Sequence, residues 1–154
     1  MNDPETRDLV QTIAHECIAV RVRLINRLVT AVYDDALRPV GIKASQMNIL
    51  VALSLLGPSK PVRICRILRL DPSTLSRNVE RMKKKGWLET IPGDDVRSHL
   101  LAVLDPGIAI LRDAYPAWRE AQEKAAAILG GEAVHTLLTA GSRLLVQGLG
   151  TGDA

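Results

Sequence analysis

The sequence predicts a mainly α-helical fold with one small β-hairpin, and three observations carry that prediction. First, apolar residues recur at helical spacing along most of the chain, while Phe is absent and aromatics are 3%. The core must therefore be built from Leu, Val, Ile and Ala, side chains that pack helices well. Second, the stretch beginning at Asp71-Pro72 opens with an N-cap residue followed by proline at the first helical position, and it closes at Lys83-Lys84-Lys85-Gly86. Cations in a last turn oppose the helix dipole, and glycine ends the helix. Third, two short β-prone runs follow directly, residues 87–91 and 99–103, separated by a Pro-Gly-Asp-Asp turn. Helix followed by a two-stranded wing is the layout of a winged helix-turn-helix, here flanked by N- and C-terminal helices with the character of dimerisation elements.

Taken in order, residues 1–6 are polar and expected to fray. One long helix is expected over 7–37, with Val10, Ile13, Cys17, Leu24, Leu28 and Val32 on its apolar stripe and Arg21 interrupting it. Arg38-Pro39 should end it, because the residue before proline avoids the helical region. A second helix is expected over 44–56 with Met47, Leu50, Val51 and Leu53 inward, stopped by Gly57-Pro58. A short third helix, 61–69, would place Val62, Cys65 and Leu68 inward and Arg63 and Arg66 outward. It forms the first half of the helix-turn-helix, with Leu70-Asp71 as the turn. Beyond the wing, Asp105-Pro106 repeats the N-cap-plus-proline signal and starts a helix to about residue 129, kinked at Pro116, with Ile108, Leu111, Tyr115, Trp118, Ala121, Ala125 and Ile128 spaced for burial. Gly130-Gly131 breaks it, a last helix runs over 132–147, and the tail 148–154 is expected to be disordered. The expected organisation is one continuous domain: residues 1–37 and 105–154 form a helical dimerisation region around a DNA-binding lobe, 38–104.

Charge is distributed unevenly. Between Lys60 and Lys85 lie nine basic and two acidic side chains, a segment charge of +7 in a chain whose net charge is +3, so the remainder carries −4. A basic block in an otherwise acidic chain is the footprint of a polyanion-binding face. On the helix over 72–84, Leu75, Val79 and Met82 mark the buried stripe. Ser73, Thr74, Ser76, Arg77, Asn78 and Arg81 face the other way, as short hydrogen-bonders and guanidinium forks suited to base edges and phosphates in a major groove. Arg63, Arg66 and Arg69 are placed to touch the phosphate backbone. Exposed aromatics for base stacking are lacking, which disfavours an RNA platform.

Asp71-Pro-Ser-Thr-Leu-Ser-Arg77, Met82-Lys-Lys-Lys-Gly86 with Leu88-Glu89, and Asp95-Val-Arg97-Ser98 resemble the multiple-antibiotic-resistance regulator (MarR) family, over a stretch from about Ala14 to Leu145. The resemblance implies a homodimeric winged-helix DNA-binding regulator, commonly a repressor released by a small aromatic or phenolic ligand. It implies that Arg97 enters the minor groove, that Asp95 orients an arginine and stiffens the wing tip, and that Ser98 belongs to the same contact region. It also implies a ligand pocket where the helical region meets the DNA-binding lobe. There Arg21 would pair with a ligand carboxylate, and Tyr115 and Trp118 would form an aromatic wall.

Cys17 and Cys65 make no disulfide framework. One branch of the family senses hydroperoxides through a cysteine in its first helix, but Cys17 is out of register with it and both cysteines sit on apolar stripes, so packing is the favoured role. His15, Glu16 and Cys17 are adjacent and point apart on a helix, and His99 and His135 have no paired spacing, so no metal is expected. No catalytic constellation is present, no cofactor is expected, and an enzyme is not the expected reading. No apolar run reaches membrane-spanning length and the N-terminus lacks a basic leader, so a cytoplasmic protein is expected. The partners expected are a palindromic double-stranded operator, a second copy of the chain and a small aromatic effector. The rival readings are a thiol-based oxidative-stress sensor of the same family and a winged-helix module that binds protein rather than DNA.

Overall fold

The computed structural model describes residues 3–93 and 98–150. The element order is α1 (Pro4–Glu16), α2 (Ile18–Leu37), α3 (Ala44–Leu56), α4 (Pro61–Leu68), α5 (Pro72–Lys84), β1 (Leu88–Pro92), β2 (His99–Val103), α6 (Asp105–Leu129) and α7 (Gly131–Gly150). This is the mainly helical winged helix-turn-helix that the sequence predicts, with helices on both sides of the winged lobe. Among the described residues no single helix is long and apolar enough to cross a membrane.

The expected first helix is two helices. It begins at Pro4, because the Asp3 carboxylate accepts from the backbone N–H groups of Glu5 and Thr6 and from the Thr6 hydroxyl. Those bonds, the Thr6 hydroxyl foremost, hold the Asp3 carboxyl below its ordinary pKa. The helix breaks at Cys17, whose backbone is extended (ψ 103°), although no glycine or proline marks the spot. The break deprives the Ala14 carbonyl of its next-turn N–H, and the Arg21 guanidinium donates to that carbonyl instead. α2 stops at Leu37, as expected, but Arg38 itself stays helical (φ −55°, ψ −45°) in a 3-10 turn over Arg38–Val40. The stop lies in Pro39 and in Gly41, whose φ of 80° turns the chain away.

α3 is capped from a distance: Asp34 of α2 accepts from the Ala44 N–H at 2.8 Å. Its buried residues are Gln46, Ile49, Leu50, Ala52 and Leu53, whereas Val51 faces out. α4 is also turned from its expected face. Ile64 and Ile67 are buried, Val62 is 61% exposed, and Cys65 and Leu68 are half-buried. In α3 apolar side chains lie nearly all round, so a count from the first apolar residue does not find the buried face. In α4 Arg63 and Arg66 share one side, and the core takes the edge of the broad apolar side that carries Ile64 and Ile67 rather than its Val62 edge.

Leu75, Val79 and Met82 of α5 are buried as expected. Each such side chain contributes about 1.5–3 kcal/mol. Together they outweigh an exposed ion pair such as Lys83–Glu80 (3.6 Å), which contributes about 0–1 kcal/mol. The helix is held by packing, so its outward charges are not needed for the fold. It ends in a Schellman motif: Trp87 N–H donates to the Met82 carbonyl at 3.0 Å and Gly86 N–H to that of Lys83 at 2.9 Å, with Gly86 at φ 69°.

The wing strands pair antiparallel, with Leu88 opposite Val103 and Pro92 opposite His99. Ser59 adds a one-residue third strand: its N–H and carbonyl both bond Leu101, at 3.1 and 2.9 Å. α6 does not use Asp105 as its N-cap. Leu104 takes that position and Asp105 falls inside the first turn. Gly107 then lies against the wing root, where a Cβ would sit 2.1 Å from the Trp87 carbonyl oxygen. Along α6, which continues through Pro116, the buried positions are Gly107, Ala114, Ala121 and Ala125, while Ile108, Tyr115 and Ile128 are exposed rather than buried. Small residues mark this contact because α6 packs closely on α2, where the Tyr33 hydroxyl donates to Gln122. Residues 148–150, expected in a disordered tail, continue α7.

Candidate nucleic-acid interface

α4, the turn at Arg69–Asp71, α5 and the wing form one lobe around Leu50, Leu53, Ile64, Leu75, Met82 and Leu88. Asp71 occupies the N-cap position, but its carboxylate makes no cap bond. Its backbone carbonyl instead accepts from Thr74 and Leu75, both at 3.0 Å. The carboxylate reaches Cys65 electrostatically. Burial first, and Asp71 second, push the Cys65 thiol above its ordinary pKa.

On α5 the structure brings Ser73, Ser76, Arg77 and Arg81 together on the exposed side. Arg77 Nε donates to the Ser73 carbonyl at 3.1 Å, which leaves the fork end of the guanidinium outward. Thr74 is half-buried. Asn78 departs from expectation: it is buried, and its amide donates to the Thr74 carbonyl at 3.0 Å, so it belongs to the inner side of the helix. The three lysines separate. Lys83 lies by Glu80, whereas Lys85 turns back, donating to the Gly41 carbonyl at 2.6 Å and sitting 4.3 Å over the Trp87 ring. Lys85 therefore ties the end of α5 to the connector after α2. Asp95 and Arg97 lie outside the described residues. Ser98 is half-buried at the start of the return strand, and its carbonyl accepts from Gly93 N–H at 2.8 Å.

Arg69, in the turn itself, has the one positive φ (51°) among the described non-glycine residues. Nothing in the sequence announced it. The turn position carries neither Gly nor Asn, the residues that normally signal a left-handed backbone.

Behind α5 lies an apolar cavity of about 380 Å³, bounded by Pro61, Val62, Cys65, Leu75, Val79 and Leu101, with Ser76 and Thr90 at its polar edge. The expected ligand trio is not assembled in one chain. Tyr115 and Trp118 do stack, with centroids 5.8 Å apart, but Tyr115 is largely exposed and Trp118 packs on the core. α2 and α6 run antiparallel, since Val29 and Tyr33 line one recess with Gln122, Ala126 and Leu129. Counting along both helices from the Tyr33–Gln122 contact at 1.5 Å per residue puts Arg21 roughly 28 Å from Tyr115. Both cysteines are half-buried thiols. Among the described residues no group of His, Cys, Asp and Glu is arranged to hold a metal ion.

Comparison with known proteins matches this lobe. A sequence model of the MarR family matches residues 40–97. The chain is 29% identical over 77 residues to an uncharacterized HTH-type transcriptional regulator, YwoH, of Bacillus subtilis, which is 50% of this chain and 56% of that protein. It is 28% identical over 90 residues to the multiple antibiotic resistance protein MarR of Escherichia coli, 58% of this chain and 62% of that one. The aligned part thus spans less than two thirds of these relatives. Over most of the chain the fold is similar to that of a mutant E. coli MarR complexed with operator DNA (TM-score 0.74, 22% identity, 87% and 97% of the two chains). It is also similar to the Mycobacterium tuberculosis regulator MosR in complex with DNA (TM-score 0.70, 28% identity, 83% and 96%).

Proposed function

We propose that this chain, in which residues 40–97 match a sequence model of the MarR family, is a homodimeric winged-helix repressor of that family that binds a palindromic DNA operator and is released by a small aromatic ligand. The carrying observation is the exposed face of α5. Ser73, Ser76, Arg77 and Arg81 stand outward on a helix whose other side is locked by Leu75, Val79 and Met82. Rigid backing is what base readout needs, since side chains on an anchored helix reach a groove at little ordering cost. Asp95 and Arg97 take the wing-tip role in this reading, with Arg97 in the minor groove and Ser98 at its base. Asn78 contributes by stiffening the helix rather than by touching a base.

For the effector, the 380 Å³ cavity is a better site within one chain than Arg21, Tyr115 and Trp118. Its volume lies in the range of small-ligand pockets. An aromatic ring inserted there would press on Leu75 and Val79, the side chains that seat the reading helix. A thiol-sensing mechanism is the second reading, and the raised pKa of the Cys65 thiol disfavours it, because the thiolate is the reactive form.

The test is titration of the full chain against a duplex of its own upstream region and against a random duplex of equal length, over a range of salt. The upstream duplex should bind ~10³-fold or more tightly, and affinity for both should fall steeply with salt. Equal, weak and salt-insensitive binding of both duplexes would leave the protein-interaction module as the better reading.

A further inference from the structure

We propose that Arg69 is a phosphate-contacting residue that positions the reading helix on DNA, kept in a strained backbone conformation for its charge. The inference rests on the DNA-binding reading above. Arg69 ends α4 at φ 51° and ψ 44°, where an L side chain crowds its own following carbonyl and glycine does not. The geometry of the turn imposes this conformation. Leu70 must return to the core, its N–H bonding the Cys65 carbonyl at 3.0 Å, and α5 must begin at Pro72. Glycine is the residue that meets such a demand without strain.

The fold gets no return for the arginine. Its side chain is exposed, and among the described residues it makes no hydrogen bond or ion pair. Other exposed arginines, among them Arg23, Arg27 and Arg81, also make no bond to the described residues, but none of them holds a left-handed backbone, which sets Arg69 apart. An unpartnered guanidinium on a rigid, unfavourable backbone is explained by a partner outside the chain. Its place is the joint between α4 and the N-terminus of α5; in a helix-turn-helix the first helix crosses the DNA backbone and the second enters the major groove by its N-terminal residues. A contact there would set the register and tilt with which α5 enters the groove, without reading sequence.

The experiment compares the full-length parent with Arg69→Gly and Arg69→Lys by thermal melting and by salt-dependent titration against the upstream and random duplexes. Arg69→Gly should melt at the parent temperature or about 2–4 °C above it, as expected when backbone strain is relieved in a chain of this size. It should nevertheless bind both duplexes several-fold more weakly, with the salt slope reduced by about one for each chain bound. Arg69→Lys should melt like the parent and keep most of the affinity and the full slope. Lower stability of Arg69→Gly would show that the side chain serves the fold and overturn the proposal, as would parental affinity and slope in that variant. If the parent itself binds neither duplex with salt dependence, the DNA-binding reading fails and this inference falls with it. A parent that binds beside an unaffected glycine variant sinks the inference alone.

Discussion

Arg77 is the side chain where sequence-specific binding should concentrate, because its Nε is held by the Ser73 carbonyl while its two terminal nitrogens remain outward. A fork fixed in this way can meet a guanine edge with both donors at once. Arg77→Ala is expected to weaken specific binding by ~1–3 kcal/mol and to relax preference at one base position, while melting and mass stay parental. An unchanged operator affinity in that folded variant would remove Arg77 from the interface. Asn78, one residue on, was legible in the spacing: it stands at i+3 from Leu75 and i−4 from Met82, on the inward stripe, and there its amide closes back on the Thr74 carbonyl and is buried. Arg21 was legible only in part. Its position in the apolar stripe was visible, but its task depends on a helix break at Cys17 that no breaker residue signals. The cysteines lead to a chemical test. With the Cys65 thiol pushed up by burial, its thiolate is scarce at neutral pH. Treatment with an organic hydroperoxide is therefore expected to leave operator affinity unchanged. A loss that thiol reverses, and that Cys17→Ser or Cys65→Ser abolishes, would move the protein to the oxidative-stress sensors.

Elements were more legible than faces. Helix starts at Pro61 and Pro72 and stops at Gly57, Gly86 and Gly130 were readable, because proline and glycine act through the backbone whatever the tertiary context. The same Asp-Pro signal at residues 3–4 was passed over, although Asp3 is the one of the three such aspartates whose carboxylate caps its helix. Buried faces were harder. In α3 apolar residues lie nearly all round, and in α4 they cover a broad side opposite Arg63 and Arg66, so which part is buried is decided by which neighbour arrives. Ser59, the third strand of the wing, left no trace because one residue has no periodicity. Gly107 makes the relation between elements testable. Its missing side chain lets the first turn of α6 rest on the Trp87 carbonyl at the wing root, with Val103 on the other side. Gly107→Ala puts a carbon where backbone already sits, and overpacking of this kind costs about 1–3 kcal/mol. The expected result is a melting temperature lower by several degrees, together with weaker DNA binding as the wing shifts against α5. A parental melt would mean that α6 has room to move away and that the contact is not a fixed joint.

At the scale of the molecule, surface area argues for a second copy. A compact monomer of 16.8 kDa exposes about 7,600 Å², whereas this chain exposes 10885 Å². The excess, roughly 3,000 Å² per chain, is well above the ~800 Å² per partner of an ordinary interface and is more than enough for the roughly 1,000–2,500 Å² per partner of obligate dimers. Its location is informative. Leu9, Ile13, Ile18 and Leu24 on α1 and α2, and Leu138, Leu144 and Val146 on α7, are all exposed, from 53% to 77%. The buried core lies almost wholly between Leu37 and Ala125. α1 has no buried residue at all, and a helix of 13 residues with no packed face is marginal in water. These apolar stripes, legible in the sequence as helical spacing, are what a twofold partner would cover, and the dimer would set two α5 helices about 34–36 Å apart, one DNA turn. Truncation after Leu129 removes α7 while leaving α3, α4, α5 and the wing intact. The truncated chain is expected to be monomeric or aggregated in analytical ultracentrifugation and to lose tight operator binding, because a single lobe bears the whole association cost with half the contacts. A full-length chain that sediments as a monomer at micromolar concentration would overturn the dimer. A truncated chain that binds the operator as tightly as the parent would show instead that one lobe suffices and that the exposed stripes serve another partner.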